Sequence, residues 1–203
     1  MFTGIVQATC ELVALEKREG MHTLAVSLPE ELREGLMPGA SVANNGVCLT
    51  ATRIADDRVF FDVMEETLRL TNLGNVEVGS QINIERSLTF GKEIGGHLLS
   101  GHVHARAKVT EVADVGEQRD LRLRLPKELM KYVLYKGFVA VNGCSLTVGE
   151  VFDDGFMLHL IPETLRLTNL KQALPGTELN IEIDSQTQTI VDTVERVLAA
   201  RAQ

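Results

Sequence analysis

The sequence predicts an all-β protein in which one six-stranded barrel is written twice in tandem and followed by a C-terminal α-helix. Three observations carry this. The 203-residue chain repeats itself at a constant offset of 97 residues, so that TLRLTNL stands at Thr67–Leu73 and again at Thr164–Leu170. The same offset pairs Asn45-Gly-Val-Cys-Leu-Thr50 with Asn142-Gly-Cys-Ser-Leu-Thr147, Leu28-Pro29 with Leu125-Pro126, Gly79…Asn83-Ile-Glu85 with Gly176…Asn180-Ile-Glu182, and Thr3-Gly-Ile-Val6 with Ser100-Gly-His-Val103. One offset without net insertion means one domain copied. Each copy consists mostly of short apolar or alternating runs of strand length, several separated by Gly-containing turns. Past Asp184 the strand pattern stops. About six short strands per copy favour a closed barrel, because closure removes exposed sheet edges; an open sandwich is the alternative.

The elements follow in chain order. Gly4 to Leu15 is a long, partly alternating strand matched by Gly101 to Val112, and because its pattern begins at once, Met1 and Phe2 belong to the fold. Leu24 to Leu28 and Leu121 to Leu125 alternate apolar with polar, the latter as LRLRL, so their leucines share a face. Pro29-Glu-Glu-Leu and Pro126-Lys-Glu-Leu each predict a short helix with proline in a tolerated first turn. Strands follow near 41–44, 48–54, 58–64 and 81–86, with counterparts in the second copy. The divisions are a first barrel at 1–89, a connector at 90–96 (FGKEIGG), a second barrel at 97–184 and a helix at 185–203. In that helix Ile190, Val191, Val194, Val197 and Leu198 form one apolar face, which pads its own barrel or packs against sister chains. Packing against sister chains is the preferred reading.

Composition narrows the function. Hydrophobic residues at 44% and charged residues at 24% describe an ordinary soluble globule. Aromatics at 4% with no Trp leave no stacking platform for single-stranded nucleic acid. A net charge of -8 argues against a phosphate backbone and an anionic membrane surface as partners. No apolar run approaches the roughly 20 residues of a membrane span, and the N-terminus lacks the charged and apolar regions of a secretory signal. Cys10, Cys48 and Cys144 are odd in number and widely spaced, neither a disulfide framework nor a metal pattern, and predict a reducing, cytoplasmic setting. His97, His102 and His104 lie close in sequence, but no clustered cysteines or acids complete a zinc set; no metal is expected.

The start MFTGIVQ, the stretch Gly95-Gly-His-Leu-Leu-Ser-Gly-His102, the paired NGxxLT motifs and Pro162-Glu-Thr-Leu together resemble the riboflavin synthase family of alpha-subunit type, over essentially the whole chain. The resemblance implies two Greek-key barrels per chain and a homotrimer joined through the C-terminal helices. It implies a dismutation of two 6,7-dimethyl-8-ribityllumazine molecules, in which a four-carbon unit passes between them to give riboflavin and 5-amino-6-(ribitylamino)pyrimidinedione. No cofactor and no metal are implied; association with lumazine synthase is. The resemblance places the active site between the first barrel of one subunit and the second barrel of its neighbour. A reaction between two identical substrates needs two similar pockets face to face, which duplication supplies, and holding the pair is worth up to about 7–11 kcal/mol. The alternative is a non-catalytic lumazine- or flavin-binding antenna or fluorescent protein with one decayed copy. A structural barrel pair is a third class, and it would not require polar residues to recur in both copies.

Candidate site residues follow from the repeat and the resemblance together. In Gly4-Ile5-Val6 and Gly101-His102-Val103 a glycine lets the backbone approach a flat heterocycle; the plain alternative is a turn glycine. His102 replaces Ile5, so only one pocket receives an imidazole there, with an unperturbed pKa of about 6.5 suited to proton transfer; the alternative is a surface histidine. Cys48-Leu49-Thr50 matches Ser145-Leu146-Thr147, which sets a thiol or hydroxyl and a second hydroxyl on one strand face. Ser145 and Thr147 read as pocket groups that help deprotonate the acidic 7-methyl group, Cys48 as pocket thiol or core residue, and Cys144 as core. The family often has two adjacent cysteines where this chain has Val47-Cys48. By the resemblance, Asp62, Val63, Met64, Glu65, Glu66 and Thr67 line one pocket, and the segment from His159 through Ile161, Pro162, Glu163 and Thr164 lines the other. Asp62 either accepts from ribityl hydroxyls or is an exposed carboxylate. Ser41, aligned with Phe138, is another asymmetric position. The resemblance also sends Lys136 across to a neighbouring subunit's ligand and makes Asp184 part of the interface site; a helix-N-terminal acid is the alternative for Asp184.

Overall fold

The computed structural model describes residues 1–202. The first copy forms β1 (Ala8–Arg18), β2 (Met21–Ser27), β3 (Ser41–Asn44), β4 (Val47–Ala55), β5 (Arg58–Met64) and β6 (Gln81–Arg86). They close into a barrel in the order β1-β2-β5-β4-β3-β6. The β3-β4-β5 meander has β2 lying back beside β5, a Greek key. The second copy forms β7 (Ala105–Val115), β8 (Gln118–Arg124), β9 (Phe138–Val141), β10 (Cys144–Thr147), β11 (Val151–Phe152), β12 (Gly155–Leu160) and β13 (Glu178–Ile183). Its neighbours repeat the same order, except that the strand equivalent to β4 is divided into β10 and β11, so the ladder is open there. The cause is a bulge deepened. In β4 the register slips between Ala51 and Arg53; Gly149 takes the place of Thr52, and a Cβ there would lie 2.9 Å from the Met157 carbonyl. The Gly149 N–H donates to that carbonyl and the Met157 N–H to Glu150, each at 2.8 Å.

Both copies bulge their first strand at the same place, between Leu12 and Ala14 and between Val109 and Glu111. These strands start at Ala8 and Ala105 rather than at Gly4 and Gly101, since Gly4 (φ +75°) and Gly101 (φ +81°) hold left-handed backbone and break the pleat. Asn45-Gly46 and Asn142-Gly143 have positive φ throughout and make the two-residue hairpins that fit strand twist. Pro29 opens the expected helix, α1 (Glu30–Arg33), but Pro126 opens a 3-10 turn, Lys127–Tyr132. The repeated TLRLTNL contributes to two helices that strand periodicity does not reveal, α2 (Glu65–Leu70) and α3 (Pro162–Leu167), each followed by a 3-10 turn. Thr71 and Thr168 join each pair: their hydroxyls donate to the carbonyls of Thr67 and Thr164 at 2.7 Å and accept from the amides of Leu73 and Leu170.

The two cores are packed by equivalent strands with compensating sizes. Val59 and Phe61 in the first become Phe156 and Leu158 in the second, all fully buried, so the ring moves two residues along the strand without leaving its core. Each such side chain contributes about 1.5–3 kcal/mol by burial. The copies also exchange residues: Val6 packs in the second core and Val103 in the first. Phe2 and Leu99 meet in an antiparallel bridge and pack with Ala43 and Ala140. The halves are thus related by an approximate two-fold axis. Gly46 and Gly143 lie back to back on it, and a Cβ on either would come within 2.7 Å of the other's backbone nitrogen. Around them, the Asn83 amide donates to the Asn142 carbonyl (3.0 Å) and the Asn180 amide to Asn45 (2.9 Å), while Asn72 and Asn169 reach Asn142 and Asn45 side chains, each at 2.9 Å. Satisfied buried amides of this kind fix one mutual orientation.

Asp184 caps α4 (Ser185–Arg201). Polar contacts from Tyr132 to Asp192 and from Lys131 to Glu195 tie this helix to the second barrel, and Val191 packs on its core. Ile190, Val194, Val197 and Leu198 are exposed. No described helix is long and apolar enough to cross a membrane.

Candidate functional site

Each glycine loop lands on the opposite copy. The Ser145 amide donates to the Gly4 carbonyl at 2.8 Å, and the Cys48 amide to the Gly101 carbonyl at 2.9 Å. A Cβ on Gly4 would lie 2.5 Å from Ser145 Cβ, and one on Gly101 2.5 Å from Cys48 Cβ. Glycine is therefore required twice, by left-handed φ and by contact. The pairing is crossed. Gly101-His102 sits beside Cys48, and Gly4-Ile5 beside Ser145, because residues equivalent by alignment change places across the two-fold axis.

On the second copy a cleft of about 270 Å³ brings together Lys136, Ser145, Leu146, Thr147, His159, Ile161 and Thr164. Ser145 and Thr147 lie on β10, whose partner across the ladder from Thr147 is Phe138. Lys136 holds a left-handed φ of +65°, where the first copy has Gly39. On the first copy Ser41 faces Thr50 across β3 and β4. Cys48 is half-buried, whereas burial raises the thiols of Cys10 and Cys144 to about 11 and about 12; Cys48 alone is available for thiol chemistry.

His97, which sequence reasoning weighed only as a metal ligand, stands at the second pocket. It is 8% exposed, its Nδ1 lies 2.6 Å from Ser145 Oγ, and its ring stacks on Phe138 at 5.2 Å. Nε2 is buried without a protein partner. Burial holds the His97 pKa below the usual histidine value, against a smaller opposing effect of Asp184. Burial therefore favours the neutral imidazole, which lies within hydrogen-bond reach of Ser145. Gly96 makes the approach feasible: a Cβ there would meet the Thr3 carbonyl at 2.2 Å and Ser145 Cβ at 2.7 Å. The sequence signal was its place in the stretch Gly95-Gly-His-Leu-Leu-Ser-Gly-His102.

Asp184 takes the helix-N-terminal role. It accepts from the Thr187 amide at 2.9 Å and hydroxyl at 2.7 Å, and it lies within the field of His97. Burial works against its charge, but the hydrogen bonds from Thr187 and Gln186 and the nearby His97 outweigh this and hold the carboxyl below its usual range. Asp62 accepts from Thr23 at 2.6 Å and lies 3.6 Å from Arg18. Its counterpart His159 pairs with Asp120 at 2.6 Å, the same cross-strand pair with acid and partner exchanged.

The remaining candidates divide by exposure. Val6, Leu49, Val63 and Val103 are buried in the cores and offer a ligand only backbone. His102, Ile5, Thr50, Met64 and Ile161 have exposed side chains. Glu66 and Glu163 pair with Arg69 and Arg166 one turn on, Glu65 and Pro162 begin α2 and α3, and Thr67 and Thr164 are half-buried. Among the described residues no group of three or more His, Cys, Asp or Glu is placed to hold a metal.

Comparison with known proteins agrees with this duplicated geometry. A lumazine binding domain family model matches residues 3–87 and again 100–184. The chain is 52% identical to the riboflavin synthase of Escherichia coli (strain K12), covering 99% of this chain and 95% of that protein. It is 41% identical to the riboflavin synthase of Buchnera aphidicola subsp. Schizaphis graminum over 98% and 96%. Its fold matches LumP complexed with riboflavin (TM-score 0.85, 27% identity, 91% of this chain and all of that one). It matches LumP complexed with 6,7-dimethyl-8-(1'-D-ribityl) lumazine equally in coverage, at a TM-score of 0.84 and 25% identity.

Proposed function

The chain belongs to the lumazine-binding-domain family, and from that premise we propose how it acts. It is an enzyme, a riboflavin synthase working without a cofactor. Two 6,7-dimethyl-8-ribityllumazine molecules enter, a four-carbon unit leaves one ring system and joins the other, and riboflavin and 5-amino-6-(ribitylamino)pyrimidinedione result. The reading rests on one observation above others: equivalent strands of the two copies are each bonded to a glycine loop of the opposite copy, Ser145 to Gly4 and Cys48 to Gly101. That arrangement suits a pair of identical heterocycles.

In the second-copy pocket Ser145 and neutral His97 relay the proton of the acidic 7-methyl group, with Thr147, Thr164 and backbone at Ile161 and Gly4 orienting the ring. In the first-copy pocket Cys48, Thr50, the Asp62–Thr67 segment and Gly101-His102 hold the second substrate, Ser41 touches it, and His102 is a further proton-transfer group. The apolar residues left exposed on α4 support a homotrimer that brings first- and second-copy pockets of neighbouring chains face to face, with Lys136 and Asp184 acting at that junction. The functional units are 1–89, the connector 90–96, 97–184 and 185–203. A cytoplasmic location and association with lumazine synthase complete the reading.

Incubating the purified protein with the ribityllumazine tests it: one riboflavin should appear, by absorbance and fluorescence, for every two substrates consumed. Tight binding without turnover would favour a non-catalytic lumazine-binding protein, a role for which the fold match to ligand-bound LumP makes it the second reading.

A further inference from the structure

We propose that Glu85 and Glu182 are crossed positioning residues: each carboxylate, rooted in one barrel, fixes the glycine loop that completes the pocket of the other barrel. The inference rests on the pockets assigned above and adds the element that holds them open in the right shape. Glu85 projects from β6 of the first barrel. Its Oε1 accepts from the Thr3 amide at 2.6 Å and the Thr3 hydroxyl at 2.8 Å, and its Oε2 from the Gly4 amide at 3.0 Å. Gly4 then presents its carbonyl to Ser145 of the second barrel. Glu182 repeats this from β13 of the second barrel. It accepts from the Ser100 amide at 2.7 Å, the Ser100 hydroxyl at 2.8 Å and the Gly101 amide at 3.1 Å, and Gly101 presents its carbonyl to Cys48 of the first.

Both carboxylates are only 5% exposed, and both face alanine across the ladder, Ala43 for Glu85 and Ala140 for Glu182. These small partners leave room for Phe2 and Leu99, which lead into the same loops. A buried carboxylate is costly unless its lone pairs are filled, so the loop and the acid hold each other. Glutamine cannot replace it, since an amide offers one acceptor oxygen and turns N–H donors towards the donors of the loop.

The crossing gives a selective test that does not depend on a ligand. Cys48 is the half-buried thiol under Gly101, while Cys10 and Cys144 are buried, so its reaction with a disulfide reagent such as DTNB reports on that loop. In the full-length protein Glu182→Gln should speed Cys48 modification about tenfold by freeing the loop locally, while Glu85→Gln, in the same barrel as Cys48, leaves the rate within about twofold. In a Cys48→Ser, Ser145→Cys background the two effects should exchange. General loosening of the fold would speed both variants alike and overturn the proposal, as would acceleration by Glu85→Gln alone. Should either glutamine variant fail to fold, Ser100→Ala and Thr3→Val remove one donor each and must give the same crossed pattern. Riboflavin titration separates the premise: wild-type protein that binds no riboflavin while the crossed thiol pattern holds refutes the pocket assignment and supports the crossed wiring.

Discussion

His97 shows how a single side chain acquires chemistry from its surroundings. Burial against Phe138 disfavours the imidazolium, and the short contact to Ser145 Oγ gives the neutral ring a proton partner. His97→Ala should lower kcat at least about a hundredfold, the low end for loss of a general acid–base group, with a smaller effect on riboflavin binding. The pH dependence follows from the direction of the shift. The folded-state pKa lies below the unfolded value, so the stability linked to His97 is present above the ordinary histidine pKa and is lost as pH falls through the lower folded one. Urea midpoints of the wild type should therefore decline on acidification below about pH 6.5 more steeply than those of His97→Ala; parallel curves would remove the coupling.

The elements position these residues, and α4 does so through its N-cap. Asp184 both satisfies the amides at the start of the helix and lends a negative charge near His97. Asp184→Ala should cost about 1 kcal/mol, as the loss of an N-cap does, measured as a lower thermal midpoint. Removing the charge should also shift the acid limb of the kcat profile to lower pH, since Asp184 now raises the His97 pKa; Asp184→Asn, which can still cap, should recover the stability but not the limb. Strands were readable because alternation over five or more residues assigns faces directly: Leu121, Leu123 and Leu125 of the LRLRL run all face the core. Helices α2 and α3 were not, because six residues span fewer than two turns and leave no helical period to detect. The division between β10 and β11 depends on Gly149, whose role emerges only from the Met157 carbonyl pressed against it.

At the scale of the whole molecule, the two-fold axis sets the glycine-loop contacts, while α4 stands outside the repeat. Four exposed apolar residues on that helix form a surface suited to sister chains, and a chain ending at Asp184 should sediment as a monomer with little synthase activity. A fully active monomer would require both substrates to meet within one chain. The sequence by itself determined the duplication, the barrel class and the terminal helix, because a constant offset and strand alternation are properties of linear order. The tertiary structure alone decided which loop completes which pocket and which histidine meets Ser145. Alignment reports equivalence between copies, whereas contact depends on how a two-fold axis folds one copy onto the other; Gly4 is equivalent to Gly101 and yet touches the strand beneath the other pocket.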